Sequence, residues 1–372
     1  MWRLVLQNLL ISQSPHFLPK YARQLILINQ GSTMSIQTLT DQLLTGHRRS
    51  LARLITYVEN GHPDAAEALE RLYPHTGQAH LIGITGAPGT GKSSLVNQLA
   101  KAYRRREQRV AVLAVDPTSP FSGGAILGDR IRMTELTGDP GVFIRSMASR
   151  GSLGGLARAV GDALKVLDAA GFDKILLETV GAGQSEVEIA KTAQTVIVVE
   201  APGLGDDVQA IKAGILEIAD IFVVNKADRP EAKRTAAALK MMLELGHAPA
   251  HHLLRHSLLA SLDQTSPYEA AGPAWTIPVL PTVAINGQGL DEVVAAIEQH
   301  RQHLLDSGEL ALRDRARLID ELETTLQSEL MRQVIARLPA DVLAEMVARL
   351  DDRSLTPQAA AQKILAAVGL AG

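Results

Sequence analysis

The stretch Gly86-Ala87-Pro88-Gly89-Thr90-Gly91-Lys92-Ser93 matches the pattern G-x-x-x-x-G-K-[ST] at every fixed position. An apolar run precedes it and a helical stretch follows it, which is the context in which this pattern binds nucleoside phosphates. Glycines let backbone N–H groups curl around phosphate oxygens, and the helix N-terminus adds a positive dipole. We therefore expect this loop, with Ser94, to hold a nucleotide. Lys92 would reach the β- and γ-phosphates, and Ser93 would bind Mg²⁺.

From His80 onward, apolar runs bounded by turns alternate with helical stretches. Such runs are typical of parallel strands that helices cover on both faces. The sequence therefore predicts an α/β fold of the P-loop NTPase class, a mostly parallel sheet flanked by helices, with helical N- and C-terminal extensions. The expected strands are Leu81–Thr85, Val110–Val115, Val142–Ile144, Lys174–Leu177, Thr195–Val199, Ile221–Val224 and Pro278–Val283, and the expected helices include Ser93–Arg105, Leu153–Ala170 and Pro230–Leu245.

A guanine-reading motif is predicted at Asn225-Lys226-Ala227-Asp228, which follows the expected strand Ile221–Val224 and matches N-K-x-D. The Asp228 carboxylate can accept hydrogen bonds from both N–H groups on one edge of guanine. Adenine lacks these donors, and a mismatch of this kind can cost about 10⁴-fold or more. Asn225 would support the loop, and the stem of Lys226 would lie over the purine ring. These residues indicate GTP rather than ATP.

A second acidic motif, Glu178-Thr179-Val180-Gly181, takes the place of D-x-x-G in G proteins, with Glu for Asp. Glu178 would hold Mg²⁺ through water, and the Gly181 N–H would sense the γ-phosphate. Many signalling GTPases place a water-orienting Gln directly after this motif. Here the residue is Ala182, and Gln184 stands two positions later. We therefore predict slow intrinsic hydrolysis, with Gln184 as the candidate for orienting water.

The segment after the second expected strand supplies further candidates for the magnesium side. Asp116 ends that strand, and Asp129 and Arg130 follow in Gly128-Asp129-Arg130-Ile131-Arg132. Asp116 and Asp129 could approach Mg²⁺, while Arg130 or Arg132 could act on the phosphates as an arginine finger in cis. On spacing alone, a solvated charged loop fits equally well.

Composition excludes several classes of function. The chain has 372 residues, no cysteine and a formal net charge of −3. Disulfides, thiol catalysis and Cys-ligated metal centres are therefore excluded. The charge offers no overall attraction for nucleic acid or an anionic membrane, so neither is an expected partner. His251, His252 and His256 form a small cluster, but adjacent histidines on a helix point apart, so we do not expect a metal site there.

The two ends of the chain differ from the central part. Residues 1–33 contain no Asp or Glu, which fits either a mitochondrial presequence or an artefact of start-site choice, because Met34 also precedes a helical pattern. Residues 34–79 are predicted to form a helical arm, residues 80–300 the GTPase domain and residues 301–372 a helical C-terminal dimerisation region.

In the last region an apolar residue recurs every four positions, and this stripe must pack either on its own domain or on another subunit. The stripe consists of Leu318, Leu322, Leu326, Leu330, Val334 and Leu338.

Together these motifs resemble the MeaB/ArgK/MMAA family, a SIMIBI-class group of P-loop GTPases. The resemblance runs from about Leu43 to the C-terminus and is carried most specifically by Glu178-Thr179-Val180-Gly181-Ala182-Gly183-Gln184-Ser185-Glu186. Members of this family are GTPase chaperones of adenosylcobalamin-dependent acyl-CoA mutases. They gate cofactor loading and protect the mutase from inactivation. The resemblance implies the same role here, with GTP/GDP and Mg²⁺ as cofactors and a homodimer. The expected location is the bacterial cytoplasm, or the mitochondrial matrix if residues 1–33 are a presequence.

The resemblance also implies roles for particular residues. Asp116, Asp129 and Glu178 would surround Mg²⁺. The segment Gly203–Lys212 is similar to the family's third switch, so Asp207 and Lys212 are expected to signal to the mutase. Thr282-Val283-Ala284 matches the last guanine-side loop.

Two other functions remain open from the sequence. One is a metallochaperone GTPase of the same class, although such relatives usually carry a His-rich tract or a Cys motif. The other is a nucleotide-binding regulatory module without meaningful turnover. The presence of both Ser93 and Glu178, an intact magnesium side, favours an enzyme, and a turnover measurement separates the two.

Overall fold

A computed structural model gives the fold and describes residues 34–117, 134–136, 138–149, 155–179, 189, 191–203, 213–245 and 273–370. Seven strands and eleven α-helices lie in these ranges. The strands are β1 (His80–Thr85), β2 (Val110–Pro117), β3 (Val142–Ser149), β4 (Lys174–Thr179), β5 (Thr195–Glu200), β6 (Ile221–Val224) and β7 (Val279–Pro281). The helices are α1 (Ile36–Leu44), α2 (Arg48–Glu59), α3 (Ala65–Leu72), α4 (Lys92–Arg105), α5 (Gly155–Ala169), α6 (Ala213–Ile218), α7 (Ala232–Leu245), α8 (Leu290–Asp306), α9 (Glu309–Arg337), α10 (Ala340–Asp351) and α11 (Pro357–Ala367).

All seven strands pair in parallel in one sheet, in the order β3-β2-β4-β1-β5-β6-β7. The predicted α/β class and its seven strands are therefore confirmed. β2 and β3 are longer than their apolar runs, because the ladder between them continues to Pro117 and Ser149. β7 is shorter than expected and spans only three residues. With β1 in the middle, the carboxyl ends of β1, β4, β5 and β6 lie side by side, where ligands bind in open α/β sheets.

The sheet separates two hydrophobic cores. Apolar side chains of α4 and α8 pack on one face with Ile82 and Ile84 of β1. The other face is covered by the N-terminal helices together with α5 and α7, and it includes Leu177 of β4. Because the central strands β1, β4, β5 and β6 are buried on both faces, the sequence of each is a nearly continuous apolar run rather than an alternating one.

The N-terminal helices form a small bundle on α5. The spacing of Leu51, Leu54, Ile55 and Val58 predicts one face of a helix, and all four are buried on α2. Ser35 caps α1 by accepting a hydrogen bond from the Thr38 N–H at 3.1 Å. The connection from this bundle to β1 is held by Asp168. Its carboxylate accepts hydrogen bonds from three successive backbone N–H groups, those of Gly77, Gln78 and Ala79, at 2.6 to 3.1 Å.

A buried polar group directly before β6 holds α8 and the start of α9. Arg313 donates two hydrogen bonds to the carboxylate of Asp220, at 2.9 and 3.1 Å, and His300 Nε2 lies 3.2 Å from the same carboxylate. Burial works to raise the pKa of Asp220, but Arg313 and His300 outweigh it and hold that pKa well below its ordinary value. The predicted domain boundary after residue 300 therefore falls inside α8, a helix of the sheet domain's core.

The same buried group continues to the first residues of β5, β1 and β4, which are Thr195, His80 and Lys174. His300 Nδ1 lies 2.9 Å from the hydroxyl of Thr195, and that hydroxyl lies 2.8 Å from His80 Nε2. Burial, with Lys174 beside it, holds the pKa of His80 well below its ordinary value. His80 is consequently neutral in the fold at neutral pH.

The C-terminal helices leave an apolar surface uncovered. The first half of α9 is held on the sheet domain by ion pairs of Lys191 with Asp320 and of Lys165 with Glu321. Beyond that point its leucines face solvent: Leu322 is 60% exposed, Leu326 45% and Leu330 44%. The predicted stripe is therefore not buried on its own domain.

Among the helices in the described part of the chain, none combines the length and the apolar character needed to span a membrane.

Candidate functional site

The phosphate loop connects the end of β1 to the start of α4. Gly86 and Gly91 lie in backbone conformations with φ of 135° and 97°, which favour glycine. A Cβ on Gly86 would collide with the backbone carbonyl of Val199, and one on Gly91 would collide with the side-chain amide of Asn225. The glycines of the motif are therefore needed both for the turn and for close contact with β5 and the segment after β6.

Lys92 opens α4 and turns back over the loop. Its Nζ donates hydrogen bonds to the carbonyls of Gly86 at 2.7 Å and Ala87 at 3.0 Å, and the residue is only 6% exposed. A buried ammonium that touches backbone carbonyls lies at the concave side of the loop, where phosphate oxygens would enter. The contact of Lys92 with phosphate stays a prediction.

Ser93 and Glu178 meet across α4 and β4. The Ser93 hydroxyl donates a 2.7 Å hydrogen bond to Glu178 Oε1, and Glu178 is 2% exposed. The contact arises because β4 lies next to β1, so the carboxyl end of β4 faces the first turn of the helix that follows the loop. Asp116 lies near the end of β2, on the other side of β4, so its backbone reaches the same edge of the sheet.

Asn225 joins the guanine-type motif to the phosphate loop. Its side-chain amide donates a 2.7 Å hydrogen bond to the Thr90 carbonyl, and its Oδ1 accepts a 3.0 Å hydrogen bond from the Ala284 N–H. Asn225 is 4% exposed, so both contacts form away from water. The three predicted segments at 86–94, 225–228 and 282–284 are thus connected through one side chain.

Lys226 and Asp228 follow on the exposed side of this junction. Lys226 has a left-handed backbone, with φ of 58°, and its Nζ donates a 2.7 Å hydrogen bond to the Gly89 carbonyl. The next N–H, that of Ala227, donates to the carbonyl of Thr282 at 2.9 Å. Asp228 is exposed, which leaves its carboxylate accessible to a ligand. Val283 is half-buried beside it in the chain segment that ends at Ala284.

Several predicted site residues lie outside the described ranges. These are Asp129, Arg130, Gly181, Gln184, Asp207 and Lys212, together with the side chain of Asp116 and the cluster of His251, His252 and His256. Within the described ranges, no group of three His, Asp or Glu side chains is arranged to hold a metal ion.

The structure also adds contacts that sequence reasoning missed. Thr85 and Thr179, the last residues of β1 and β4, form a buried hydroxyl pair in which Thr179 Oγ1 donates to Thr85 Oγ1 at 3.3 Å. The Glu200 carbonyl accepts a 2.8 Å hydrogen bond from the Asn225 N–H. Threonine in a strand has no sequence signal beyond β-propensity, so this pair could be found only from the register of the sheet.

Chemically, the site combines one buried ammonium, one hydroxyl and one buried carboxylate at a loop lined by backbone N–H groups. This set suits the binding of a polyphosphate with a hard divalent cation. The exposed carboxylate of Asp228 belongs to the motif that the sequence predicts to bind the purine base.

Comparisons with known proteins find one family and several relatives of this chain. The sequence profile of the family described as "Methylmalonyl Co-A mutase-associated GTPase MeaB" matches residues 51–338. A relative from Pyrococcus abyssi is 46% identical over 330 residues, which cover 89% of this chain and 96% of the relative. The Escherichia coli protein named GTPase ArgK is 34% identical over 299 residues, which cover 79% of this chain and 85% of that protein.

One solved structure matches nearly the whole fold. It is described as a LAO/AO transport system kinase, with a TM-score of 0.62 and 24% identity, and the match covers 90% of this chain and 98% of that one. At this identity the likeness supports the fold alone.

Proposed function

This chain belongs to the MeaB family of methylmalonyl-CoA mutase-associated GTPases, and from that membership we propose that it hydrolyses GTP at the site described above to serve an adenosylcobalamin-dependent acyl-CoA mutase. The observation that carries the proposal is the convergence of three motifs. Ser93 contacts Glu178, and Asn225 contacts both Thr90 and Ala284. A phosphate loop, an acidic magnesium-side motif and a guanine motif thus share one edge of the sheet.

In the proposed reaction the phosphate loop binds and orients GTP. Lys92 exchanges its contacts with the Gly86 and Ala87 carbonyls for phosphate oxygens, which are charge-assisted partners and therefore stronger acceptors. Its charge, fixed in a largely water-excluded position, favours the negative charge that builds up during phosphoryl transfer. Base selection rests on Asp228, and Asn225 joins the guanine-type motif to the phosphate loop.

A magnesium ion fits the oxygen donors present. Ser93 Oγ and the Glu178 carboxylate are hard oxygen ligands that already lie 2.7 Å apart. Ser93 would hold the ion directly and Glu178 through water, with Asp116 and Asp129 as further candidates. When bound, the ion neutralises phosphate charge. The hydrogen bond to Glu178 also orients the Ser93 hydroxyl.

Hydrolysis requires a group that orients water, and Gln184 remains our candidate, with Arg130 as the candidate finger. Gly181 is the proposed sensor of the γ-phosphate. The proposed signal to the mutase passes through the third-switch residues Asp207 and Lys212.

A homodimer is proposed through α9, because the exposed leucines of this helix form a continuous stripe.

The experiment that tests this role is complex formation with purified methylmalonyl-CoA mutase, followed by sedimentation with GDP, with a non-hydrolysable GTP analogue, and without nucleotide. We expect binding whose strength depends on the nucleotide. The Lys92→Ala variant should lose that dependence, because it cannot bind nucleotide tightly. Wild-type chain that never co-sediments with the mutase would remove the mutase from the proposal and leave the GTPase site standing.

A further inference from the structure

A pair of buried hydroxyls lies at the carboxyl ends of β1 and β4. Thr85 is the last residue of β1 and directly precedes Gly86, and Thr179 is the last residue of β4 and directly follows Glu178. Both are buried, at 0% and 4% exposure. Because side chains alternate along a strand, Thr179 points to the face opposite Glu178, away from α4. The pair therefore lies beneath the site rather than in it.

The pair lies just beyond the last residues that are aligned in the ladder between β1 and β4. The β1–β4 register ends with Ile84 opposite Glu178. The Thr179 to Thr85 hydrogen bond, at 3.3 Å, is one residue beyond that register, so it links the last residues of the two strands, next to Gly86 of the phosphate loop and Glu178 of the acidic motif.

Packing alone does not require hydroxyls here. The neighbouring side chains on this face of β4 are Ile175 and Leu177, both buried and apolar. Valine has the shape of threonine and suits a buried strand at least as well, whereas a buried hydroxyl is costly unless it is paired. What the pair adds over two valines is a directional link between the exits of β1 and β4.

We propose that Thr85 and Thr179 are positioning residues for GTP hydrolysis, which hold the exit of β4, and with it the Glu178 carboxylate, in register with the phosphate loop. This inference rests on the proposed GTPase activity. It adds two residues that act through Glu178 and do not touch the nucleotide. Small displacements matter at such a site because phosphoryl transfer depends on positioning more than on covalent chemistry by the protein.

The test compares Thr179→Val, Thr85→Val, the double valine variant and Thr179→Ser with the wild type. GTP turnover, KM, GDP affinity and the midpoint of thermal unfolding are measured for each. Thr40→Val is the matched control, because it removes an equally buried hydroxyl, 1% exposed, from α1. Loss of one buried hydrogen bond is worth about 1 kcal/mol, so we expect kcat to fall about fivefold to tenfold in Thr179→Val.

Several results together would support positioning. KM and GDP affinity should stay within about twofold in Thr179→Val, since the phosphate and base contacts are intact. Thr179→Ser, which keeps the hydroxyl, should keep most of the wild-type kcat. The double valine variant should be as slow as Thr179→Val but no less stable than the wild type, because replacing both partners leaves no unpaired hydroxyl. Thr40→Val should turn over GTP at the wild-type rate.

Other results would overturn the inference. A wild-type kcat in both single valine variants would contradict positioning. So would an equal loss of kcat in Thr179→Ser, which keeps the hydroxyl, or in the control Thr40→Val. If Thr179→Val does not fold, the double variant decides, and full activity in it contradicts positioning. A wild-type chain without GTP turnover would instead refute the proposed function, and this inference with it.

Discussion

The hydroxyl of Ser93 donates a 2.7 Å hydrogen bond to Glu178 Oε1, and so joins the phosphate loop to the strand that carries the acidic motif. Both groups are oxygen ligands, and Glu178 is almost fully buried. A buried carboxylate needs compensation, which hydrogen bonds supply in part and a bound cation supplies better. The contact therefore marks the side of the nucleotide on which Mg²⁺ should bind.

Glu178→Gln tests that assignment. The amide can still accept from Ser93, but its neutral charge removes most of the attraction for Mg²⁺. Changing a residue that supports a bound metal through another ligand typically lowers affinity about 10- to 100-fold, so we expect the Mg²⁺ concentration for half-maximal GTP turnover to rise by that factor. GDP binding without Mg²⁺ should stay near wild type. Glu345→Gln, an exposed change on α10, is the control. An unchanged Mg²⁺ titration would mean that Glu178 does not support the ion.

Asp228→Asn tests base recognition. The carboxylate accepts from two N–H groups of guanine, whereas an asparagine amide offers a donor that matches the carbonyl of xanthine. Charged hydrogen bonds contribute about 1.5–3 kcal/mol, so GTP affinity should fall about 10- to 100-fold while XTP affinity rises. Competition between labelled GTP and XTP measures the change, with Asp341→Asn as a control far along the chain in α10. If the variant still prefers GTP as strongly as the wild type, Asp228 does not read the base.

Replacing Leu322, Leu326 and Leu330 together by Gln tests the proposed dimer surface. These side chains are 44% to 60% exposed within the chain, so the substitutions should not disturb its own core. Burial of a leucine is worth about 1.5–3 kcal/mol, and losing three should convert a dimer to a monomer at micromolar concentration. Light scattering gives the mass, and Leu305→Gln, at an exposed leucine on α8, is the control.

These substitutions are preferable to deleting the chain from Gly308 onward. Deletion would also remove Arg313 from the buried Asp220 and so destabilise the sheet domain. A mass that stays dimeric in the triple variant would place the interface elsewhere.

The buried His80 predicts a loss of stability on acidification. Burial lowers its pKa well below the ordinary value of 6.5, so below that pH the unfolded chain binds a proton that the folded chain does not. Stability is therefore fully present above pH 6.5 and falls as the pH drops, by at most about 1.4 kcal/mol per pH unit for this one group. Urea unfolding at pH 7.5, 6.5 and 5.5 measures the slope. His80→Gln should flatten it, whereas His75→Gln, on the exposed connection after α3, should not. Equal slopes in all three proteins would contradict the assignment.

Much of the fold follows from local pattern. The central strands are apolar on both faces, so each of them is recognisable by itself, and the motif at 86–93 fixes β1 and α4 around it. The guanine motif could be placed because it directly follows β6. These features depend on residues that are neighbours in the chain.

The remaining features depend on residues that are distant in the chain. The sheet order brings Glu178 to Ser93 and Thr179 to Thr85, and no local pattern encodes that order. Arg313 belongs to a charged helix, a pattern typical of solvent-exposed side chains. Its guanidinium nevertheless donates a hydrogen bond to the buried carboxylate of Asp220, 93 positions away in the sequence. The exposure of the α9 stripe likewise could not be predicted, because the spacing of leucines shows that they share a face and not what covers it.

GTP turnover by the purified chain, alone and with a purified adenosylcobalamin-dependent mutase, tests the central claim most directly. The account predicts a slow, Mg²⁺-dependent basal rate with GTP, very little turnover of ATP, and a marked increase in the GTP rate when the mutase is added. Absence of GTP turnover under all these conditions would contradict the GTPase assignment and favour a regulatory nucleotide-binding module. A GTP rate that no mutase changes would contradict the role as a mutase chaperone.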